Sequence, residues 1–324
     1  MSEETKKIQV GGQAVIEGVM MRGPEYLATA VRRKDDKIEL KKQKFESVTK
    51  TNKFYALPII RGFVSLIEMM IIGIKTLNFS AQRAELDWEE EETKKTKEKS
   101  EGRKKVEEVF SYIFAFGLAI LLFAYLPYQI SEWLKFSKEN ILFNLIAGLI
   151  RILFFVIYVW AISLMKDVKR LFQYHGAEHK SVYAYEKQCE LVPNKVQDFS
   201  TFHPRCGTSF IFFVLLISIL IFSILDSLVT KFILNGTAPT VPVRLAYHFL
   251  FMPIISGVSY EVLKLSGKKA NHPLVRLMTA PGLWLQRITT SQPDDKQVEI
   301  ALVALKSAMD LDISEYHNVV FLED

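Results

Sequence analysis

Four long apolar segments constrain the fold of this chain more than any other feature. They cover residues 109–133, 141–165, 209–229 and 243–263. The hydrocarbon core of a bilayer is about 30 Å thick, and an α-helix needs roughly 20 apolar residues to cross it. Each segment meets that length. The sequence therefore predicts a mainly α-helical membrane protein with four transmembrane helices and the lipid bilayer as its surroundings.

The basic residues of the loops predict an orientation for these helices. Two hairpins, 109–165 and 209–264, flank a connecting segment, 166–208, that holds seven lysines and arginines, whereas the two hairpin loops hold three. Basic residues concentrate in cytosolic loops, so we expect the connecting segment and both termini in the cytosol. The same loops account for the formal net charge of +5. We expect no nucleic-acid partner.

The N-terminal segment predicts a small β unit, with strands at 27–33 and 37–44. Before them, four glycines interrupt the run 11–24, whose only charged residues are Glu17 and Arg22. One interpretation is a glycine-rich strand with its charges in water. The other is a lid or binding loop that brings Glu17 and Arg22 to a substrate.

Residues 54–80 are apolar but carry Arg61, Glu68 and Lys75, which are seven residues apart and therefore lie on one stripe of a helix. A charged stripe disfavours contact with lipid on all sides, so we expect an interfacial or re-entrant helix. The alternative is a fifth span that turns its charges into the bundle, where Arg151 could pair with Glu68.

The other segments outside the spans are more polar. Residues 81–108 are dominated by glutamate and lysine, which predicts a solvated linker or an exposed charged helix. Near the C-terminus, Asp294 precedes an apolar stripe at helical spacing, which predicts a final cytosolic helix that packs through this stripe. The expected segments are 1–53, 54–80, 81–108, 109–165, 166–208, 209–264 and 265–324.

The strongest chemical motif is His-x-x-Glu-His at His175, Glu178 and His179. In a helix the two imidazoles stand one turn apart on one face and can hold one metal ion. The pattern is the inverted form of the zinc-hydrolase motif, so Glu178 would be a general base or a support for one imidazole. The alternative is a juxtamembrane helix anchored at the lipid headgroups by its tyrosines, Tyr174, Tyr183 and Tyr185.

A second pair of ligand-type residues, His203 and Cys206, precedes the third span. Cys206 lies at the mouth of a long helix, whose positive end favours the thiolate that binds metal. His-x-x-Cys is also a workable spacing for zinc. The alternatives are a hydrogen-bonded loop histidine and a small buried cysteine. Glu261 is a candidate extra ligand, although its simpler role is to reach the cytosolic interface.

The number of ligands decides between two kinds of site. The predicted topology places both pairs at one membrane face, where residues distant in sequence can surround one ion. Four protein ligands would close a tetrahedral zinc site and make it structural, whereas three would leave a position for water and make it catalytic. The sequence leaves both options open.

Three segments resemble a known family. They are GGQAVIEGVMMRGP at 11–24, HGAEHK at 175–180 and HPRCGTSF at 203–210. Together they are similar to the YqhQ-like family of bacterial multi-pass membrane proteins, and the resemblance covers nearly the whole chain. It implies an inner-membrane location and a metal-dependent enzyme, and it implies no particular substrate.

The sequence therefore favours a multi-pass inner-membrane protein with a cytosol-facing divalent transition metal site, most simply zinc. In the leading hypothesis Glu178 is the base of a metal-assisted hydrolysis of an unknown substrate, and a lid closes over the site. The metal ligands in this hypothesis are His175, His179, His203 and Cys206, and the lid residues are Glu17 and Arg22. The alternative is a non-enzymatic scaffold or transporter-like protein in which a closed zinc site ties the two hairpins together. A homo-oligomer is compatible with either hypothesis.

Overall fold

The computed structural model describes residues 10–92, 101–134, 141–237, 239–268 and 272–322. Within these ranges the chain is mostly helical and has a five-stranded sheet. The helices are α1 (Val48–Thr51), α2 (Ile60–Glu92), α3 (Glu101–Ile120), α4 (Leu126–Trp133), α5 (Ile141–Ser163), α6 (Lys166–Glu186), α7 (Pro193–Val196), α8 (Gly207–Leu228), α9 (Val241–Lys268), α10 (Pro273–Thr289) and α11 (Asp295–Ala308). A π-helical turn, Leu121–Tyr125, joins α3 to α4, and another, Val229–Ile233, extends α8.

The sheet confirms the predicted N-terminal β unit and enlarges it. Its strands are β1 (Gly11–Val15), β2 (Gly18–Arg22), β3 (Tyr26–Arg32), β4 (Ile38–Lys44) and β5 (Val319–Phe321). The first four form an antiparallel meander, and β5 from the C-terminus pairs with β4 in parallel. The glycine-rich run therefore forms a β-hairpin, β1 and β2, which the interpretation as a single strand did not foresee.

Three helical stretches are long and apolar enough to cross a membrane, namely Ile113–Trp133, Leu145–Ser163 and Phe210–Ile233. Only a small share of each is buried inside the protein, which suits contact with lipid. The fourth expected span lies in α9, which is less apolar than α5 and α8 because polar residues such as Arg244 and His248 interrupt it. The arrangement of four spans in two hairpins stays a prediction.

Helix α2 is longer than the sequence predicted. It continues beyond residue 80 into the polar segment 81–108, and α3 begins inside that segment. The polar segment is therefore helical at both ends, as the exposed-helix interpretation required. Residues 93–100 and the first hairpin loop, 135–140, lie outside the described residues.

Two of the three charges on the stripe of α2, Arg61 and Glu68, are engaged with protein groups. Arg61 forms an ion pair with Glu261 of α9, with 2.7 Å between Nε and Oε1. Glu68 accepts a hydrogen bond from the Ser47 hydroxyl at 2.6 Å. The suggested pairing of Arg151 with Glu68 is therefore wrong. The interfacial or re-entrant placement of α2 stays a prediction.

A buried core joins the sheet to α6 and α11. Ile300 and the five residues that follow it in α11 are fully buried against β2, β3 and α6. The helix begins where the sequence predicted, because the Asp294 side chain accepts from the Gln297 amide while the Gln297 side chain accepts from the Asp294 amide. No sequence pattern predicted α10, which starts with Pro273 in its first turn.

Helix α6 enters this core directly after α5. Its C-terminal half is buried and packs on β1 and α11. Tyr174 is 1% exposed, and its hydroxyl lies 3.2 Å from the Glu17 carboxylate. Tyr174 is therefore not an anchor among lipid headgroups, whereas the position of α6 next to the membrane stays a prediction. The histidine motif lies inside a packed protein layer.

Candidate metal centre

Three ligand-type residues from two helices meet at one point. His175 and His179 come from one face of α6, and Cys206 is the N-cap of α8. Their ligand atoms lie within 4.8 Å of one another, and Nε2 of His175 is 3.2 Å from Sγ of Cys206. Two nitrogens and a sulfur form a donor set that suits zinc. We call this group the His/Cys cluster.

Backbone carbonyls fix the orientation of both imidazoles. Nδ1 of His175 donates to the Thr289 carbonyl at 2.8 Å, and Nδ1 of His179 donates to the Thr201 carbonyl. Because a neutral ring carries one proton, each Nε2 keeps a free lone pair. Nε2 of His179 is buried and has no hydrogen-bond partner in the described part of the chain. Metal-binding histidines are usually held through their other nitrogen in this way.

Burial favours the neutral form of the imidazole. His179 is 1% exposed, and burial lowers its pKa, an effect that the neighbouring Cys206 offsets only in part. A neutral ring is the form that binds metal, so little proton competition is expected near neutral pH.

Glu178 lies beside the cluster and does not belong to its three close ligands. Its Oε2 is 3.4 Å from Nε2 of His179, and burial raises the pKa of the carboxyl. The backbone N–H of Gly12 in β1 donates to this carboxylate. Glycine permits the approach, since a Cβ at position 12 would lie 2.9 Å from Cγ of Glu178. The carboxyl is therefore held at the edge of the cluster by the sheet.

Gly176 explains how α6 meets the segment that follows α10. A Cβ at this position would lie 2.1 Å from the Ser291 carbonyl oxygen, and the Ser291 amide donates to the Phe172 carbonyl at 2.9 Å. Thr289, whose carbonyl orients His175, is the last residue of α10 and lies two residues before Ser291. A glycine in a helix costs about 1 kcal/mol relative to alanine. Here the glycine allows the close contact between α6 and Ser291.

His203 lies next to the cluster but is not one of its close ligands. Its ring centroid is 5.7 Å from that of His179. Nδ1 accepts from the Arg205 amide at 3.3 Å, and Nε2 faces Glu186 at 3.6 Å. The Gln286 side chain holds the His203 backbone, accepting from its amide at 2.8 Å and donating to its carbonyl at 2.9 Å. This geometry favours a supporting role over the ligand role that the sequence suggested.

Glu17 is held on α6, away from the three ligands. It occupies the turn between β1 and β2 with a left-handed backbone (φ 53°). Its carboxylate forms an ion pair with Arg170, at the N-terminal side of the histidine motif. In this position it secures the hairpin to α6, which differs from the lid that the sequence suggested.

The other two predicted site residues are engaged elsewhere. The Arg22 guanidinium lies 4.5 Å from the Phe45 ring centroid and 3.1 Å from Sδ of Met69. The Glu261 carboxylate is paired with Arg61. The structure therefore brings neither Arg22 nor Glu261 to the cluster. Gln286 and Thr289, which position the histidines, carried no recognisable signal in the sequence.

Comparisons with known proteins add a family. The model of a family described as a protein of unknown function, DUF1385, matches residues 57–311, a range that includes the His/Cys cluster and Glu178. The uncharacterized protein YqhQ of Bacillus subtilis (strain 168) is 33% identical over 334 aligned positions, which cover 99% of this chain and 100% of the relative. No solved structure matches the chain. The chain therefore belongs to the DUF1385 family of YqhQ-like proteins.

Proposed function

We propose that this protein is a membrane-bound, metal-dependent hydrolase with a zinc site formed by His175, His179 and Cys206. One observation carries the proposal. The carbonyls of Thr289 and Thr201 accept hydrogen bonds from the two Nδ1–H groups. Both Nε2 lone pairs therefore remain available to bind an ion beside the cysteine sulfur. Imidazole and thiolate together are typical zinc ligands.

The count of ligands favours a catalytic site over a structural one. Nδ1 of His203 already accepts a hydrogen bond, and its Nε2 faces Glu186. A zinc ion with three protein ligands keeps a position for water or substrate. Bound there, the metal would polarise a substrate oxygen and make a water molecule more acidic.

Glu178 is the group that would move the proton. As a base it would take a proton from the attacking water and then pass it to the leaving group, so that one water is consumed for each bond broken. Burial raises the pKa of this carboxyl, which favours its acting in both directions. The Gly12 amide keeps the carboxylate beside His179.

The proposed site lies at the membrane surface. Cys206 precedes the span Phe210–Ile233 by one helical turn, so the cluster is placed just outside the apolar layer. The basic residues of the surrounding segment support a cytosolic orientation, with both termini on the same side of a bacterial inner membrane.

Metal analysis of protein purified without chelators tests the ligand set. We expect about one zinc per chain in the wild type, as one three-ligand site requires. Cys206→Ser and His175→Ala should lose this metal. Cys189→Ser and His317→Ala are matched controls, because Cys189 and His317 are exposed, and they should retain it. A wild-type protein without stoichiometric metal would overturn the proposal.

Cobalt substitution separates the catalytic from the structural hypothesis. The visible spectrum of bound cobalt reports the coordination sphere, so azide should change it if a position is open. Glu178→Gln should keep both the metal and the spectrum yet fail to replace the wild-type protein in a cell that depends on it. A spectrum insensitive to azide, together with an active Glu178→Gln variant, would favour the structural zinc site of a scaffold or transporter-like protein.

A further inference from the structure

A second polar cluster lies near the opposite end of α8. Asp226, which is 4% exposed, accepts from the Tyr247 hydroxyl at 2.6 Å and is 2.8 Å from Nε2 of His248. Its other oxygen lies 3.3 Å from Nε of Arg244. One carboxylate is thus hydrogen-bonded to two residues of α9, Tyr247 and His248, and forms an ion pair with a third, Arg244. We call this group, together with Arg151, the Asp/Arg cluster.

Arg151 of α5 is the member of this cluster for which the described residues provide no salt bridge. It lies close enough to Arg244 and Asp226 for both charges to act on it. Its Nε atom is buried and has no hydrogen-bond partner among the described residues. The guanidinium of Arg244 also packs over the Tyr128 ring of α4, at 5.5 Å from the centroid, so four helices meet here.

The charges in this cluster do not balance. Two guanidinium groups face one carboxylate, whose oxygens are already engaged. A cation among apolar helices is costly unless it is paired. Asp226 compensates Arg244, which leaves the charge of Arg151 for an anion that the chain itself does not supply within the described residues.

The depth of the cluster indicates where that anion comes from. Arg151 lies in the candidate span Leu145–Ser163, and Asp226 lies in the candidate span Phe210–Ile233. Each is about 10 Å from the end of its span that faces away from the His/Cys cluster, and Asp226 is about 30 Å along α8 from Cys206. An arginine at that depth can extend its head towards the lipid headgroups of the nearer leaflet.

We infer that Arg151 and Arg244 form a binding site for the phosphate group of an anionic phospholipid, in the leaflet opposite the proposed metal centre. Guanidinium binds phosphate through two parallel hydrogen bonds, which makes arginine suited to this ligand. Free phosphate shares this chemistry, but a site between membrane helices is reached from the bilayer.

Thermal unfolding of the full-length protein in nanodiscs tests this site. Phosphatidylglycerol added to phosphatidylcholine should raise the Tm of the wild type by about 3 °C or more, because a ligand of the folded state stabilises it. Arg151→Gln should abolish this rise, and Arg151→Lys should keep part of it because lysine keeps the charge without the planar fork. Arg287→Gln is the control, since Arg287 is an exposed arginine of α10 near Thr289, and it should show the full rise.

The same variants separate a binding role from a packing role. In phosphatidylcholine alone, Arg151→Gln should melt at or above the temperature of the wild type, because it removes an uncompensated charge. A variant that melts lower in both lipid compositions would overturn the inference and assign Arg151 to packing.

Three further outcomes bear on the ligand itself. No preference of the wild type for phosphatidylglycerol would overturn the site. Stabilisation by inorganic phosphate, in phosphatidylcholine nanodiscs, equal to that by phosphatidylglycerol would overturn the lipid as its occupant. No stabilisation by inorganic phosphate, together with the loss in Arg151→Gln, would support it.

Discussion

The two polar clusters near the ends of α8 both contain histidine, yet they suit ions of opposite sign. In the His/Cys cluster, backbone carbonyls accept hydrogen bonds from the Nδ1–H groups of His175 and His179, so the Nε2 lone pairs remain available to bind a metal ion. In the Asp/Arg cluster, Asp226 is hydrogen-bonded to Tyr247 and His248 and paired with Arg244. N–H groups of the arginines therefore remain available to bind an anion. The first arrangement suits a cation, and the second suits an anion.

The surroundings of the two clusters differ as well. The His/Cys cluster is supported by the sheet and by the C-terminal end of α10, which reach it through Gly12 and Thr289. The Asp/Arg cluster is supported by α4, α5, α8 and α9. The hydrogen-bond partner of one ring nitrogen decides whether the other nitrogen can bind a metal ion. That partner is distant in sequence, so the residues around the histidine do not show it.

Removal of the Asp226 carboxylate is the severest test of this contrast. Asp226→Asn leaves two arginines without a carboxylate, and breaking a buried ion pair typically costs 3–5 kcal/mol, so we expect a loss of about that size in the free energy of unfolding. Chemical denaturation in detergent measures it. Glu190→Gln, in an exposed pair with Lys195, should cost at most about 1 kcal/mol. Equal effects would show that the Asp/Arg cluster is not held by charge.

Gly176→Ala tests whether the segment after α10 supports the His/Cys cluster. The new methyl group would lie 2.1 Å from the Ser291 carbonyl oxygen, so the backbone must move. We expect a loss of about 1–3 kcal/mol in stability and weaker zinc binding. Gly117→Ala is the matched control, because a Cβ there meets nothing within 4 Å. A Gly176→Ala variant with wild-type zinc affinity would separate the cluster from this segment.

His203→Asn asks whether the metal centre has three protein ligands or four. If His203 is a supporting residue, His203→Asn should weaken zinc affinity by about 10–100-fold, whereas His175→Ala should abolish stoichiometric binding. Competition with a chromogenic chelator measures both. If His203→Asn abolishes binding as His175→Ala does, the site is closed and the structural hypothesis is favoured.

The sequence foresaw the elements of the His/Cys cluster better than their details. Helical spacing alone puts His175 and His179 on one face, and the order of apolar segments puts Cys206 at the same end of the bundle. The structure brings these three residues together, while their role as ligands stays a prediction. His203 lies outside this group of three because the side chain of Gln286, from the distant helix α10, holds the His203 backbone. No local pattern reveals such a contact.

The Asp/Arg cluster shows the same limit more clearly. The sequence offered Glu68 as a partner for Arg151, whereas the structure gives Arg151 the neighbours Asp226 and Arg244. Pairing between helices depends on how they pack, and hydropathy reports only their lengths. By contrast, the strands at 27–33 and 37–44 were predicted correctly, because alternation of apolar residues and turn residues are local patterns.

The ion pair between Arg61 and Glu261 provides the smallest effect and a reference for both clusters. It joins α2 to α9, and its side chains are 27% and 22% exposed, so we expect Glu261→Gln to cost only about 0.2–1 kcal/mol. Neither zinc content nor the response to phosphatidylglycerol should change, because Glu261 contributes to neither cluster. Loss of zinc in Glu261→Gln would instead restore this carboxylate as a ligand, and the three-residue centre would then be incomplete. The Arg61→Gln variant tests the same pair from its other side: it should match Glu261→Gln in stability if the two side chains act mainly on each other.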